Sequence, residues 1–401
     1  MISFSEENSL LFITVDLDAI VANTSRLKAS LRDGVKLLAI VKSDAYGHGI
    51  LEASRAVLSG GADYLGVVNV KEGLMLREGG ISAPTVVLGA ILPAEAPLVV
   101  SKNLDVTVFN RKTVEALANA CQEQNSNVGV FIKVDTGMGR LGVFPDDAIK
   151  FAEYVGSISS INIKGLITHF PIADQEDKTF THEQINIMNS LIGSLREKGF
   201  ELPLNNCANS AAIIDMPEAQ FDMVRAGIAM YGYYPSRYVS RSIELKPALT
   251  LRARVMSVKR VKAGTPISYG CRYRPERDTI IGVVPIGYRH GYHRMLSGKT
   301  YAIYKGKRVP QVGTICMDMC MYDFGPDSDI SDYEWITLLG EEGSEAVWAD
   351  ELAGYAETIM YEILTSLSGR IDRVYIQGGE VVDFKEANCF ALNNIISSTR
   401  W

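Results

Sequence analysis

The stretch L-L-A-I-V-K-S-D-A-Y-G-H-G occupies residues 37–49. Its first five residues form an apolar run of the length of a buried strand, flanked by Lys36 and Lys42. Lys42 therefore stands at a strand's carboxyl end, where α/β folds place their chemistry. Tyr46, Gly47 and Gly49 read as a turn, and a helical pattern begins near Ile50. An amine in that position can condense with an aldehyde, and desolvation or crowding by charge lowers its pKa enough to make it nucleophilic. A lone lysine at a strand end is more often simply solvated. The case for chemistry rests on the residues around it.

Working outward, apolar runs recur near residues 37–41, 64–68, 85–88, 106–109, 128–134, 163–168, 204–207 and 223–225. Amphipathic stretches such as 70–77, 112–124, 145–155 and 183–198 separate most of them. About eight repeats of strand then helix predict an α/β fold, a (β/α)8 barrel, although periodicity alone leaves a doubly wound sheet open. Upstream, residues 11–16 read as a strand and 18–31 as a helix with Asp18 as N-cap. After Tyr231 the pattern changes to short alternating strands at 249–261, 280–284, 300–304 and 309–312, with a helical stretch at 349–364. The expected organisation is a barrel over 12–244, a mainly β domain over 245–385 and a tail of unknown role over 386–401.

The chain has 401 residues, 47% hydrophobic and 22% charged, with a net charge of −7. That composition suits a two-domain globular protein. The acidic balance argues against nucleic acid or an anionic membrane as a partner. The six cysteines are scattered without a C-x-x-C pair, the first residues lack a basic leader, and no apolar run reaches bilayer length. A reducing cytoplasm with free thiols is the expectation.

The segment A-I-V-K-S-D-A-Y-G-H-G closely resembles the cofactor-lysine segment of the alanine racemase family. The resemblance implies pyridoxal phosphate (PLP) as cofactor, joined to Lys42 as an internal aldimine, with Tyr46 at its phosphate. A second strong signal is V-F-I-K-V-D-T-G-M-G-R-L-G at residues 130–142. Three glycines there let backbone approach a ligand. Lys133 falls inside a strand and needs a partner, Asp135 being one choice, or a modification. The resemblance implies that Lys133 is carbamylated and positions Arg140 toward the substrate carboxylate.

Thr168-His169-Phe170 closes another strand, where a histidine is more often structural than catalytic. By resemblance, His169 lies beside the pyridine ring and bonds a neighbouring arginine. Asn209, Ser210 and the amides of Gly227 and Ile228 match the family's phosphate cradle. Arg225 matches the arginine that faces the pyridine nitrogen. A permanent cation there disfavours ring protonation and weakens the ring as an electron sink. In the β domain, I-S-Y-G at residues 267–270 resembles the family's second base, implying Tyr269 opposite Lys42. A tyrosine in that role needs its pKa lowered by nearby cations. Tyr288, Met317 and Asp318 match residues lining the substrate channel from the other subunit, which implies a homodimer with shared sites. Cys316 and Cys320, His290 and His293 are too few for a metal site.

The resemblance runs from about Phe12 to Tyr375, with two departures. His290 stands where an acidic residue precedes glycine, and Gly369 stands where some members carry a phosphate-contacting tyrosine. The second leaves room for serine, so a serine or broad-specificity racemase is the alternative enzyme. Basic-amino-acid decarboxylases share the domain plan but carry an acidic partner for the ring nitrogen. A non-catalytic PLP carrier resembles the barrel alone. The implied activity is interconversion of L- and D-alanine, supplying D-alanine for peptidoglycan.

Overall fold

The computed structural model describes residues 4–367 and 369–387. The chain folds into two compact units. One comprises Ala19–Ala45 and Gly49–Lys246; the other takes the residues up to Asp18, Tyr46–His48, and those from Pro247 onward. The first strand, β1 (Leu11–Asp16), belongs to the second of these units.

In the first unit β2 (Lys36–Ile40), β3 (Tyr64–Val67), β4 (Thr85–Val87), β5 (Asp105–Val108), β6 (Val128–Lys133), β7 (Ile161–Ile167) and β8 (Met223–Ala226) are parallel. Their order is β7-β6-β5-β4-β3-β2-β8. Asn206 bridges Ile167 of β7 and Met223 of β8, so the ring closes. Its N–H donates to the Leu166 carbonyl, and its own carbonyl accepts from Thr168 N–H. The expected barrel is present, with the strand expected over 204–207 cut to isolated bridges. The Asn205 side chain explains this: its Oδ1 accepts Leu166 N–H at 2.9 Å, a ladder position that main chain would otherwise fill. Helices such as Ile50–Ser59, Val70–Glu78, Arg111–Gln124 and Thr179–Glu197 follow the strands.

Leu37, Leu38, Ala39 and Val41 are fully buried. That is what strands covered on both faces require. Each leucine contributes roughly 1.5–3 kcal/mol by burial, and this rigid strand delivers Lys42 to the carboxyl end of the barrel.

In the second unit β1 pairs antiparallel with Leu249–Arg254 and parallel with Asp372–Gln377. The barrel was expected to begin at residue 12, but both edges of β1 are taken by this second sheet. The sheet is mostly antiparallel and includes Thr279–Val284, Lys307–Val312, Cys320–Gly325 and Trp335–Glu342. The expected strand over 249–261 is two, Leu249–Arg254 and Ser257–Val261, which pair with different neighbours. The expected helix over 349–364 is also two, Ala349–Ala356 and Met360–Ser366, broken where Glu357 turns left-handed at φ +57°. The first helix starts at Leu17, so Asp18 is its second residue rather than its N-cap, and its carboxylate accepts Gly378 N–H. From residue 388 the expected tail lies outside the described residues, as do Ser368 and Cys389.

Candidate active site

The barrel strand β2 ends in an unusual turn. Ser43, Asp44, Ala45 and Tyr46 have φ of +56°, +53°, +53° and +54°, a run of four non-glycine residues in the left-handed region. Each costs roughly 1–2 kcal/mol relative to a right-handed residue, so local bonds must hold the turn. Ala45 N–H donates to the Val41 carbonyl and Gly49 N–H to the Asp44 carbonyl, both at 2.9 Å. Ile50 N–H donates to the Asp44 carboxylate at 2.9 Å. Glu72 completes the set, accepting Ser43 N–H at 2.7 Å on one oxygen and Val68 N–H at 2.9 Å on the other. Burial lowers the Lys42 amine below its ordinary pKa; Arg140 adds to the lowering and Glu72 opposes it. A larger neutral fraction is what a nucleophilic or basic lysine needs.

Tyr46, Gly47 and His48 pack in the second unit. The Tyr46 ring lies 5.9 Å from that of Tyr361, and burial raises its hydroxyl pKa. The Gly47 carbonyl accepts from the buried Arg373 guanidinium at 2.8 Å. At φ +86°, a Cβ on Gly47 would stand 2.5 Å from the Leu364 carbonyl oxygen, so only glycine fits.

At the end of β6, the Asp135 carboxylate accepts N–H groups from Gly137, Gly139 and Arg140, each at 3.0 Å. These bonds hold Asp135 below the ordinary carboxylate range against its burial. They wrap the glycine loop around one anion and set where Arg140 leaves it. Lys133 gets little from Asp135. Burial, Arg225 and Arg140 push its amine down to about 7, with Cys207 and Asp135 opposing weakly. Among the described residues no carboxylate lies within ion-pair distance of it. In place of a pair with Asp135, Lys133 has an amine that burial and the two arginines make easier to deprotonate.

This has a consequence for unmodified protein in carbon-dioxide-free buffer. Between pH 7 and 10.5 the unfolded lysine binds a proton that the folded one does not. Stability then rises with pH by about 1.4 kcal/mol per unit from this group. Urea unfolding of the parent and of Lys133→Met should differ by that slope, the parent gaining as pH rises. Equal slopes would show that Lys133 is ordinarily charged when folded.

Arg225 is the most heavily bonded group of the site. Its guanidinium donates to the carbonyls of Thr168 at 2.8 Å and Cys207 at 3.0 Å, to the Asn206 side-chain oxygen, and to His169 Nδ1 at 3.1 Å. Arginine only donates, so His169 Nδ1 is an acceptor and its proton sits on Nε2. Burial, then Arg225, Lys133, Arg140 and Lys42, holds His169 well below its ordinary pKa. Burial brings Arg225 itself down to about 10, so it stays a cation at neutral pH. Asn209 caps the Ser210–Asp215 helix through Ala212 N–H at 3.2 Å. Ser210 Oγ accepts Gly227 N–H at 2.9 Å, which leaves the hydroxyl hydrogen able to donate elsewhere. Ile228 opens the buried turn that follows.

A separate group forms in the second unit. Ser268 Oγ donates to the Thr314 carbonyl at 2.6 Å, and Thr314 Oγ1 donates to the Tyr269 carbonyl at 2.8 Å. Gly313, at φ +69°, makes room for this: a Cβ there would lie 2.9 Å from that of Ser268. Tyr288 N–H and Arg289 N–H donate to the Cys316 and Met317 carbonyls, both at 3.1 Å. Asp318 pairs with Arg289 at 3.0 Å. Tyr269, Tyr288 and Met317 stay 72%, 43% and 52% exposed.

The barrel thus gathers Lys42, Lys133, Arg140, His169, Asn209, Ser210, Arg225, Gly227 and Ile228, and the second unit gathers Tyr269, Tyr288, Met317 and Asp318. Two family descriptions match the chain: "Alanine racemase, N-terminal domain" over residues 15–235 and "Alanine racemase, C-terminal domain" over 248–375. The chain belongs to the alanine racemase family. An alanine racemase of Desulfosudis oleivorans is 41% identical over 374 residues, 91% of this chain and 96% of that one. The solved alanine racemase of Clostridium difficile 630 superposes with a TM-score of 0.89 at 33% identity, over 95% of this chain and 99% of that one. A histidine racemase of Leuconostoc mesenteroides gives a TM-score of 0.82 at 25% identity, over 92% and 99%. Membership makes this chain a racemase-type enzyme, and among the described residues no helix is long and apolar enough to cross a membrane.

Sequence reading does not find several supports of these groups. Glu72 is legible only as the third helical residue after the Asn69 cap, yet its carboxylate serves Ser43 and Val68. Asn206 holds Arg225, and Tyr231 donates to the Ile40 carbonyl at 2.9 Å. Neither residue type signals such a role.

Proposed function

We propose that this protein interconverts L- and D-alanine with pyridoxal phosphate, as a homodimer whose sites are shared between subunits. The observation that carries the reading is Arg225, a buried cation donating to a neutral His169. The donor set fits the cofactor: a lysine of lowered basicity at a barrel strand end, a hydroxyl at Ser210 able to donate to an anion, and a cation that disfavours protonation of a nearby ring nitrogen. Lys42 would hold the cofactor, with Tyr46, Asn209, Ser210, Gly227 and Ile228 at its phosphate and His169 and Arg225 at its ring. When bound, PLP supplies the electron withdrawal that acidifies the substrate Cα–H.

The remaining steps belong to the chain. Arg140 and the Met317 amide hold the substrate carboxylate. Lys42 Nζ exchanges the proton on one face of Cα and Tyr269 Oη on the other. Lys133 positions Arg140 as a carbamate, whose formation needs the neutral amine that burial favours. Tyr288 and Asp318 line the channel from the second copy; the exposure of Tyr269, Tyr288 and Met317 supports such a partner. A cytoplasmic setting and a role in supplying D-alanine for peptidoglycan follow from the same reading, and the five free cysteines among the described residues agree with the first. Gly369 and the existence of a histidine racemase of this fold favour testing a larger substrate beside alanine. A 13C-bicarbonate-labelled NMR spectrum tests the carbamate: a carbamate carbon present in the parent and missing in Lys133→Met is expected. Its absence from both would leave Lys133 an unmodified amine.

A further inference from the structure

His290 is 9% exposed and ends the short turn Tyr288–His290. Its Nδ1 lies 3.2 Å from Gly287 N–H and can only be the acceptor. His290 N–H returns to the Gly287 carbonyl at 3.0 Å, so the turn is closed on both sides. The same turn carries the two N–H groups that hold the Cys316 and Met317 carbonyls. Contact there is tight, since a Cβ on Gly287 would stand 2.3 Å from Cys316 O and 2.4 Å from Met317 O. On the far side, a Cβ on Gly291 would meet the Ser366 carbonyl at 1.9 Å, so the turn is packed closely there as well. The imidazole lone pair at Nδ1 thus fixes the turn that fixes the Cys316–Asp318 loop.

We propose that neutral His290 is a positioning residue for the Met317 amide, and that its protonation opens the clamp and weakens substrate binding. A proton on Nδ1 would set N–H against N–H and strand a buried charge. The charged groups facing His290 are Arg289 on its own turn, Asp318 on the facing loop and Arg370 after the Met360–Ser366 helix. Burial and the two arginines hold it neutral below the ordinary histidine range, with Asp318 opposing. The clamp is therefore complete above pH 6.5 and is lost as pH falls through the lower folded pKa. An aspartate or glutamate here would keep an acceptor across that window; histidine makes the contact titratable.

The consequence for substrate rests on the alanine racemase reading, but the clamp can be measured without turnover. Hydrogen exchange of the Tyr288 and Arg289 amides, corrected for intrinsic rates, should lose protection on the order of tenfold as pH is lowered from 7.5 through the folded-state titration of His290 followed by 15N NMR, the worth of about one hydrogen bond. His290→Asn keeps an acceptor oxygen without a titrating proton and should show no such loss; His290→Asp should behave likewise. In turnover, KM for alanine should rise several-fold over that range in the parent, kcat changing less, and stay flat in His290→Asn. Equal loss of protection in parent and His290→Asn, or a parent His290 carrying its proton on Nδ1 at pH 7.5 by 15N NMR, would overturn the proposal. Lost protection in the parent with no racemisation of any amino acid would keep the clamp and reject the alanine reading.

Discussion

Lys42→Ala is expected to reduce alanine racemisation by at least about four orders of magnitude, since on the proposed function it removes a proton-transfer group worth 10²–10⁴ on its own and the attachment point of the cofactor besides. The fold should survive. Lys42 follows a strand whose burial is supplied by Leu37, Leu38, Ala39 and Val41. The strained turn after it is held by Asp44, Glu72 and backbone groups rather than by the lysine amine. The purified variant should therefore unfold at a denaturant concentration close to the parent's while losing the absorbance of lysine-bound PLP. Residual activity within tenfold of the parent would show that another group carries the proton.

Tyr269→Phe is expected to slow racemisation in both directions by about 10²–10⁴, because inversion must pass through both faces of Cα. Its diagnostic is isotopic. In deuterated water the variant should still exchange the Cα proton of one enantiomer, the one whose face Lys42 serves, while D/L interconversion falls. Little structural cost is expected, since Tyr269 is 72% exposed and its carbonyl, not its ring, is held by Thr314. Racemisation at the parent's rate would refute a two-base mechanism. Unchanged PLP binding with no turnover to lose would identify a carrier.

Much of this site is legible in the chain because the barrel strands are uninterrupted apolar runs. The residues at their carboxyl ends, Lys42, Lys133, His169 and Arg225, can be read off directly. What escapes the sequence are features made by bonds between distant residues. Nothing in S-D-A-Y announces four left-handed residues; the turn exists because Glu72, about thirty positions on, satisfies Ser43 N–H. Lys133 and Asp135 look like a pair until the glycine loop closes on the carboxylate. Nor does I-S-Y-G announce that Tyr269 opens a short turn after Ser268, whose φ is +64°. The strand expected at residues 204–207 fails because Asn205 and Asn206 spend side chain and backbone together in the ladder. Leu11–Asp16 is a correct strand in an unexpected sheet, since its alternation fits either partner and only long-range pairing decides.

The central claim is tested most directly by chiral analysis of product formed by the purified full-length protein with PLP, from L-alanine and L-serine in parallel. Formation of D-alanine, proceeding toward equal amounts of the two enantiomers and faster than D-serine from L-serine, is the predicted result. Failure to form D-alanine while Lys42 remains covalently joined to PLP would contradict the account, and faster turnover of serine would reassign the substrate and make Gly369 the first residue to change.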